Sequence, residues 1–284
     1  MSTAAAAGPP RRRRAGPLWG LVAWAAGLLF VLPIGWMVLT SLHSEPDAAT
    51  NPPSLGARLT LDGYREFFGA STGTSPWPPL VNSLTASVAS TLLVLALAIP
   101  AAYALSVKPV RKWSDVLFFF LSTKMLPAVA GLLPIYLVAQ NLGLLDNIWL
   151  MVVLYTSMNL PIAVWMMRSF LAEIPVAILE AAAIDGAGLP TVFRRIVIPI
   201  SAPGIAATSL ICFIFSWNEM LFARVLTGVR SVTAPVFLTS FVTSQGLFLA
   251  KVCAAAVVVS LPVLIAGFAA QDRLVQGLSL GAVK

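Results

Sequence analysis

The stretch EAAAIDGAGLPTVFRRIVIP, residues 180–199, lies between two long apolar segments of a chain otherwise composed for lipid. Pro175 suits the first turn of a helix, where a missing N–H costs nothing. The following residues, Val176 to Asp185, are Ala-rich and helix-compatible. Gly186 suits the left-handed position after a helix end, and Gly188 breaks the chain again. Pro190 starts a second short helix through Phe193, Arg194, Arg195 and Ile196, which Pro199 and Pro203 end. The spacing predicts helix, tight turn, helix, lying at a membrane surface. Leu179 with Ala183, and Val192 with Ile196, share faces at i, i+4 spacing. Ala181, Ala182 and Ala183 are small enough to let another surface approach, and Glu180 and Asp185 offer charge to a basic partner. A compact span-to-span connection needs none of this, whereas a cytoplasmic partner explains it.

Composition defines the surroundings of this module. Of 284 residues, 58% are hydrophobic and 10% charged, with a mean hydropathy of +0.89. Soluble domains carry about 25% charged residues, so the chain reads as an integral membrane protein. Six stretches reach the length of roughly 20 apolar residues that a bilayer needs. They are 18–42, 80–107, 116–140, 148–170, 204–223 and 252–270. Residues 231–249 are apolar on average but rich in Thr, Ser, Gln and Gly, and read as an interfacial or partly re-entrant connection. A seventh span there is the alternative, and it would put the C-terminus outside. The first stretch is longer than an ordinary signal-peptide core, and "TSLHSEPDAAT" offers no clear A-x-A cleavage site, which favours an uncleaved anchor.

Twelve of the eighteen Lys and Arg residues fall on one side of these spans: the four arginines at 11–14, Lys108, Arg111, Lys112, Arg168, Arg194, Arg195, Arg273 and Lys284. Arg58, Arg65, Arg224, Arg230 and Lys251 fall on the other, and Lys124 lies within the third span. This bias places both termini, and residues 180–199, in the cytoplasm. The expected division is a basic tail at 1–17, a first transmembrane helix at 18–42, an external loop at 43–79, a five-helix core at 80–271 containing the cytoplasmic loop 173–203, and a cytoplasmic tail at 272–284. The external loop reads equally as a docking surface or a solvated connection.

Several function classes lack their residues. The net charge of +7 is scattered rather than gathered into a basic stripe, so nucleic acid is not indicated. Cys212 and Cys253 have no metal-ligand neighbours, His43 is the only histidine, and no metal site is expected. There is no HExxH, GxSxG or paired intramembrane aspartate, and no catalytic residue is assigned. No P-loop sequence is present, so ATP cannot be bound in that manner by this chain. A stand-alone secondary transporter, the different-class alternative, needs midplane carboxylates; only Glu219 is available, and no internal repeat is evident.

Glu180-Ala181-Ala182, three residues, Gly186, nine residues, then Ile196-x-Ile198-Pro199 resembles the EAA loop of ABC importer permeases, with Ile198 for the usual Leu. The resemblance covers nearly the whole chain. Asn82-Ser83 and Trp217-Asn218-Glu219 resemble the second permease of maltose-type carbohydrate importers. "LSTKMLP" at 121–127, "PIYL" at 134–137 and "GLLDN" at 143–147 are most similar to sorbitol/mannitol-type polyol importers. The resemblance implies an all-α, six-helix type I importer permease fold in a prokaryotic cytoplasmic membrane. It implies a second homologous permease, two ATPase subunits that bind ATP and Mg, and an extracytoplasmic solute-binding protein. It also implies that Glu180, Ala181, Ala182, Asp185, Gly186, Ile196 and Pro199 form the coupling contact. The expected solute is a polyol or small sugar, with a disaccharide or oligosaccharide of maltose or trehalose type as the alternative.

Polar residues in the spans are the remaining candidates. A cation at the bilayer centre costs roughly 2.5–3.5 kcal/mol on insertion scales. Lys124 therefore pairs structurally, lines a path or snorkels. Glu219 shares a face with Ser216 and Cys212, as a gate contact or a structural pairing. Tyr155, Asn159, Trp217 and Asn218 could serve a sugar path, because a sugar needs hydrogen-bonding groups and a flat apolar surface. Trp and Tyr also belong to the interfacial belt.

Overall fold

The computed structural model of the chain describes residues 17–50, 56–69, 75–107, 110–243 and 246–281. The arginines at 11–14, Lys108 and Lys284 lie outside them, as do parts of the external loop. In chain order the helices are α1 (Pro17–Ser41), α2 (Glu45–Ala48), α3 (Asp62–Phe68), α4 (Trp77–Ser106), α5 (Trp113–Thr123), α6 (Ala128–Asn141) and α7 (Ile148–Leu171). They continue with α8 (Val176–Ile184), α9 (Leu189–Val192), α10 (Ile198–Ile200), α11 (Ala202–Trp217), α12 (Leu221–Leu226), α13 (Ala234–Leu238) and α14 (Leu249–Gly281).

Helices α1, α4, α7 and α14 are long and apolar enough to cross a bilayer. Two bent pairs bring the number to six when each is counted as one span. The third is not the continuous helix expected at 116–140, because α5 and α6 meet at 81°. Pro127 stands at the break in extended conformation (φ −60°, ψ 123°). A proline donates no N–H and disfavours helical geometry in the residue before it. The fifth span turns by 78° between the segment Leu189–Ile200 and α11. It ends at Trp217 rather than at 223, and a break at 218–220 leads into α12.

Pro199 does not end the second short helix as expected. It sits inside α10, and the chain turns at Ser201 instead. A π turn, Phe193–Val197, precedes it. Such a widened turn suits a residue with no N–H to return to the preceding turn. Residues 231–249 contain α13, a 3-10 turn and a two-residue antiparallel pair, β1 (Val242–Thr243) with β2 (Gly246–Leu247), and no span. α14 runs on past 272 as one helix to Gly281.

The core is α4 laid along α7, with α11 against both and α14 against α11. One face of α4 buries Ser83, Ser87, Ser90, Val94, Ala98 and Ala102. These recur at three- and four-residue spacing, and mostly small side chains let helix backbones approach closely where no hydrophobic drive separates protein from lipid. Gly204 serves the same end, since a Cβ there would fall within the Phe170 side chain. α1 packs against α14 and turns the rest of its apolar surface outward, as a lipid-facing helix does.

Candidate functional site

The loop 173–203 is built by an identifiable stop signal. Asp185 caps α8, and Gly186 follows in the left-handed region at φ +72°. The Ala187 N–H donates to the Ala182 carbonyl (2.9 Å) and the Gly186 N–H to the Ala183 carbonyl (3.1 Å). This is a Schellman motif, with Ala182 and Ala187 as its apolar pair. It gives the E-A-A-x-x-x-G spacing a physical reason. The third motif residue supplies the accepting carbonyl, and the glycine four residues later supplies the left-handed turn. No heavy atom crowds a Cβ at Gly186, so backbone conformation, not space, is what requires glycine there.

The loop's side chains divide into anchor and display. Ala182, Val192 and Val197 are buried with Tyr103, Leu105, Leu171 and Ile174, and Ile196 packs against them. The Phe193 ring meets Tyr103 at 4.7 Å. Ala182 thus faces the chain's own core and leaves no surface for a partner to approach. Glu180, Ala181, Asp185 and Pro199 are exposed, and Ile184 is 87% exposed. A groove of about 300 Å³ runs between α8, α9 and the end of α4, with Glu180 at its edge and Leu179, Val192 and Val107 among its walls.

The polar span residues do not converge. Asn159 is fully buried and its Nδ2 donates to Ser216 Oγ (2.9 Å), which also meets Ser90 Oγ (3.1 Å). Together they bind α7, α11 and α4 at the bundle centre. Tyr155 is buried and donates to the Glu219 carbonyl at 3.5 Å. Trp217 Nε1 donates to the Val259 carbonyl of α14 (3.1 Å). Asn218 is exposed and bonds its own helix. The Glu219 carboxylate accepts the N–H groups of Phe222 and Ala223 (3.0 and 3.2 Å), so it caps α12. Lys124 stands apart, exposed at the α5–α6 elbow beside a cavity of about 630 Å³.

The opposite face holds the residue that composition and spacing did not single out. Gly143 (φ +66°) ends α6 with the same Schellman pairing, Leu144 N–H to Ala139 O (2.8 Å) and Gly143 N–H to Gln140 O (3.1 Å). Asp146 follows at φ +55°. Its carboxylate accepts from the N–H groups of Gly228 (2.7 Å), Arg230 (3.0 Å) and Ser231 (2.8 Å) and from Ser231 Oγ (2.7 Å). A Cβ at Gly228 would meet Asp146 Oδ2 at 2.9 Å, so the close approach needs glycine. Partial burial raises the Asp146 pKa, but these hydrogen bonds outweigh it and hold the carboxyl down to about 2.

Two further clasps join the same face. Asn82 Nδ2 donates to the carbonyls of Arg230 (2.9 Å) and Val232 (3.0 Å), and the Ala234 N–H donates to Ser83 Oγ (2.8 Å). Glu45 accepts the N–H groups of Ala250 and Lys251 at the start of α14, and Lys251 pairs with Glu66. A carboxylate at a helix N-terminus is stabilised by the helix dipole.

A model of the binding-protein-dependent transport system inner membrane component family matches residues 94–279. A probable ABC transporter permease protein of Sinorhizobium fredii is 36% identical over 94% of this chain and 95% of its own length. The trehalose transport system permease protein of Mycobacterium tuberculosis is 30% identical over 89% and 92%. The diacetylchitobiose uptake system permease protein of Streptomyces coelicolor is 29% identical over 91% and 92%. A chain from the crystal structure of a bacterial ABC transporter involved in the import of the acidic polysaccharide alginate aligns with a TM-score of 0.74 at 22% identity, over 94% of this chain and all of that one, which establishes a shared fold.

Proposed function

Since this chain belongs to the binding-protein-dependent transport system inner membrane component family and is an inner-membrane permease subunit of an ABC sugar importer, we propose that α8 is the contact through which a separate ATPase drives it. The supporting observation is the inner loop itself: a capped helix, anchored by Ala182 and Val192, that displays Glu180, Ile184 and Asp185 to water. A helix fixed at one side and bare at the other transmits displacement into the core better than a loose connection would.

In this reading both termini are cytoplasmic. Two ATPase subunits bind ATP and Mg, a second homologous permease completes the enclosure, and an external binding protein delivers the solute. The solute is a polyol or small sugar. Two of the relatives, the trehalose and diacetylchitobiose transport proteins, favour a disaccharide as the second reading.

Glu180→Lys reverses the charge of an exposed residue and leaves the core untouched. The complex is expected to co-purify, with uptake lowered at least about tenfold, as loss of a charge-assisted contact requires. Uptake into proteoliposomes at the unsubstituted rate would remove Glu180 from the contact. Comparing labelled mannitol, sorbitol, trehalose and maltose in the same vesicles separates the two solute readings.

A further inference from the structure

We propose that the α5–α6 elbow is a solute subsite within the membrane, where Lys124 donates hydrogen bonds to the oxygens of a polyhydroxylated solute. This rests on the reading of the chain as a sugar permease.

Depth is the first argument. The cavity beside Lys124 is walled on one side by Leu154, Ser157, Met158 and Pro161. These residues bracket the middle of α7, a span of 24 residues. At about 1.5 Å per residue, the elbow therefore lies near half-depth. A cation at that depth is retained for a pathway or a partner.

The second argument is that Lys124 has no ion-pair partner among the described residues. The ion pairs among the described residues are Arg65 with Asp62 and Lys251 with Glu66. Glu45, Asp146 and Glu219 are occupied by backbone N–H groups elsewhere. Glu173, Glu180 and Asp185 lie on the inner loop. The ammonium thus keeps its donors for something that enters the cavity.

The third argument is the polarity of the lining. Thr123 Oγ1 donates to the Phe120 carbonyl (2.7 Å) and Ser157 Oγ to the Leu154 carbonyl (2.8 Å). Both hydroxyl protons are spent on the helices, and both oxygens still have lone pairs to offer. One three-donor cation beside two acceptors suits hydroxyl groups, which both accept and donate. Phe222 adds a flat apolar surface for C–H faces. The volume, about 630 Å³, lies in the range typical of small-molecule sites.

The test uses the assembled complex in proteoliposomes, with its ATPase, second permease and binding protein. Ala130→Cys provides a reporter on the cavity wall outside the groups assigned to the solute, and the unsubstituted complex gives the background from Cys212 and Cys253. Mannitol or trehalose, whichever is imported, is expected to slow modification of the reporter by a charged thiol reagent at least about threefold during turnover. Adding Lys124→Gln is expected to abolish that protection and to lower uptake at least about tenfold, and Lys124→Arg to keep most of both. Import without protection, or unchanged uptake in the Gln variant, overturns the subsite alone. Loss of assembly in the Gln variant, restored by Arg, assigns the ammonium to a carboxylate of the partner permease and also overturns it. Failure of the unsubstituted complex to import any sugar or polyol overturns the permease reading, and the subsite with it.

Discussion

Two connections on opposite faces of this protein, outer and inner in the orientation proposed above, begin identically and then diverge. At Gly143 and at Gly186 a helix stops in a Schellman motif with glycine in the left-handed region. On the outer face the next residues are gathered in. Asp146 holds the 228–231 segment through four hydrogen bonds, and Asn147 caps α7 by accepting from the Trp149 N–H (2.9 Å). On the inner face no side chain caps α9, and apolar packing of Ala182, Val192, Phe193 and Ile196 provides the anchor. Hydrogen bonds are directional and fix register, whereas apolar contacts tolerate sliding. The outer connections are therefore clasped by directional bonds, and the inner one is seated on the core chiefly by apolar packing.

The sharpest way to break this contrast is Ala182→Leu. Overfilling a packed site costs typically 1–3 kcal/mol, and here the strain falls on the seat of α8. Uptake is expected to vanish, with the ATPase no longer co-purifying while the outer face keeps its protection from protease. Outer-face cleavage appearing together with the loss of ATPase would show that the two faces are not separately built.

Asp146→Ala attacks the opposite member of the pair. It removes four hydrogen bonds to a charged acceptor, at a site open enough that screening leaves about 1–3 kcal/mol in total. Cleavage at 228–231 is expected to accelerate, the Tm to fall and the ATPase to remain bound. The same clasp has a pH signature. Its pKa is depressed to about 2, so its contribution is complete above the unfolded value of about 4 and is lost as pH falls from there through 2. The Asp146→Ala variant should therefore show a smaller Tm loss over that window than the parent. Equal slopes would remove Asp146 from the acid response.

Glu45→Gln is the mildest intervention. It keeps one of the two oxygens that accept the Ala250 and Lys251 N–H groups, replaces the other with an amide NH2, and removes the charge facing the start of α14. A destabilisation of about 0.3–1 kcal/mol is expected, diminished by added salt. A larger or salt-independent loss would mean that Glu45 holds geometry rather than charge.

The inner loop was legible because a Schellman stop is written within six consecutive residues, from Ala182 to Ala187. The four continuous spans were legible from composition. The elbow was half legible: Pro127 announces irregular backbone, but an 81° turn depends on what α6 packs against. Asp146 was invisible as a clasp because its partners lie 82 to 85 residues downstream, and no local pattern reports them. Glu219 and Trp217 were noticed for the right reason, being polar groups near a span end, yet their neighbours consume them in a helix cap and a bond to α14. The error over Pro199 has a general cause. A proline is read as a stop, whereas a π turn before it lets the helix run through Pro199 by one residue, to Ile200.

α14 has 33 residues. At about 1.5 Å per residue it is an arm about 50 Å long, against a hydrocarbon layer of about 30 Å. Its first turn is gripped by Glu45, and it is longer than that layer by about 20 Å, an excess that lies on the cytoplasmic side in the orientation proposed above. With the grip as fulcrum, a swing of only about 5° carries the far end about 4 Å, the breadth of a side chain. Leverage of that kind lets a modest tilt at one face register as a whole residue's displacement at the other.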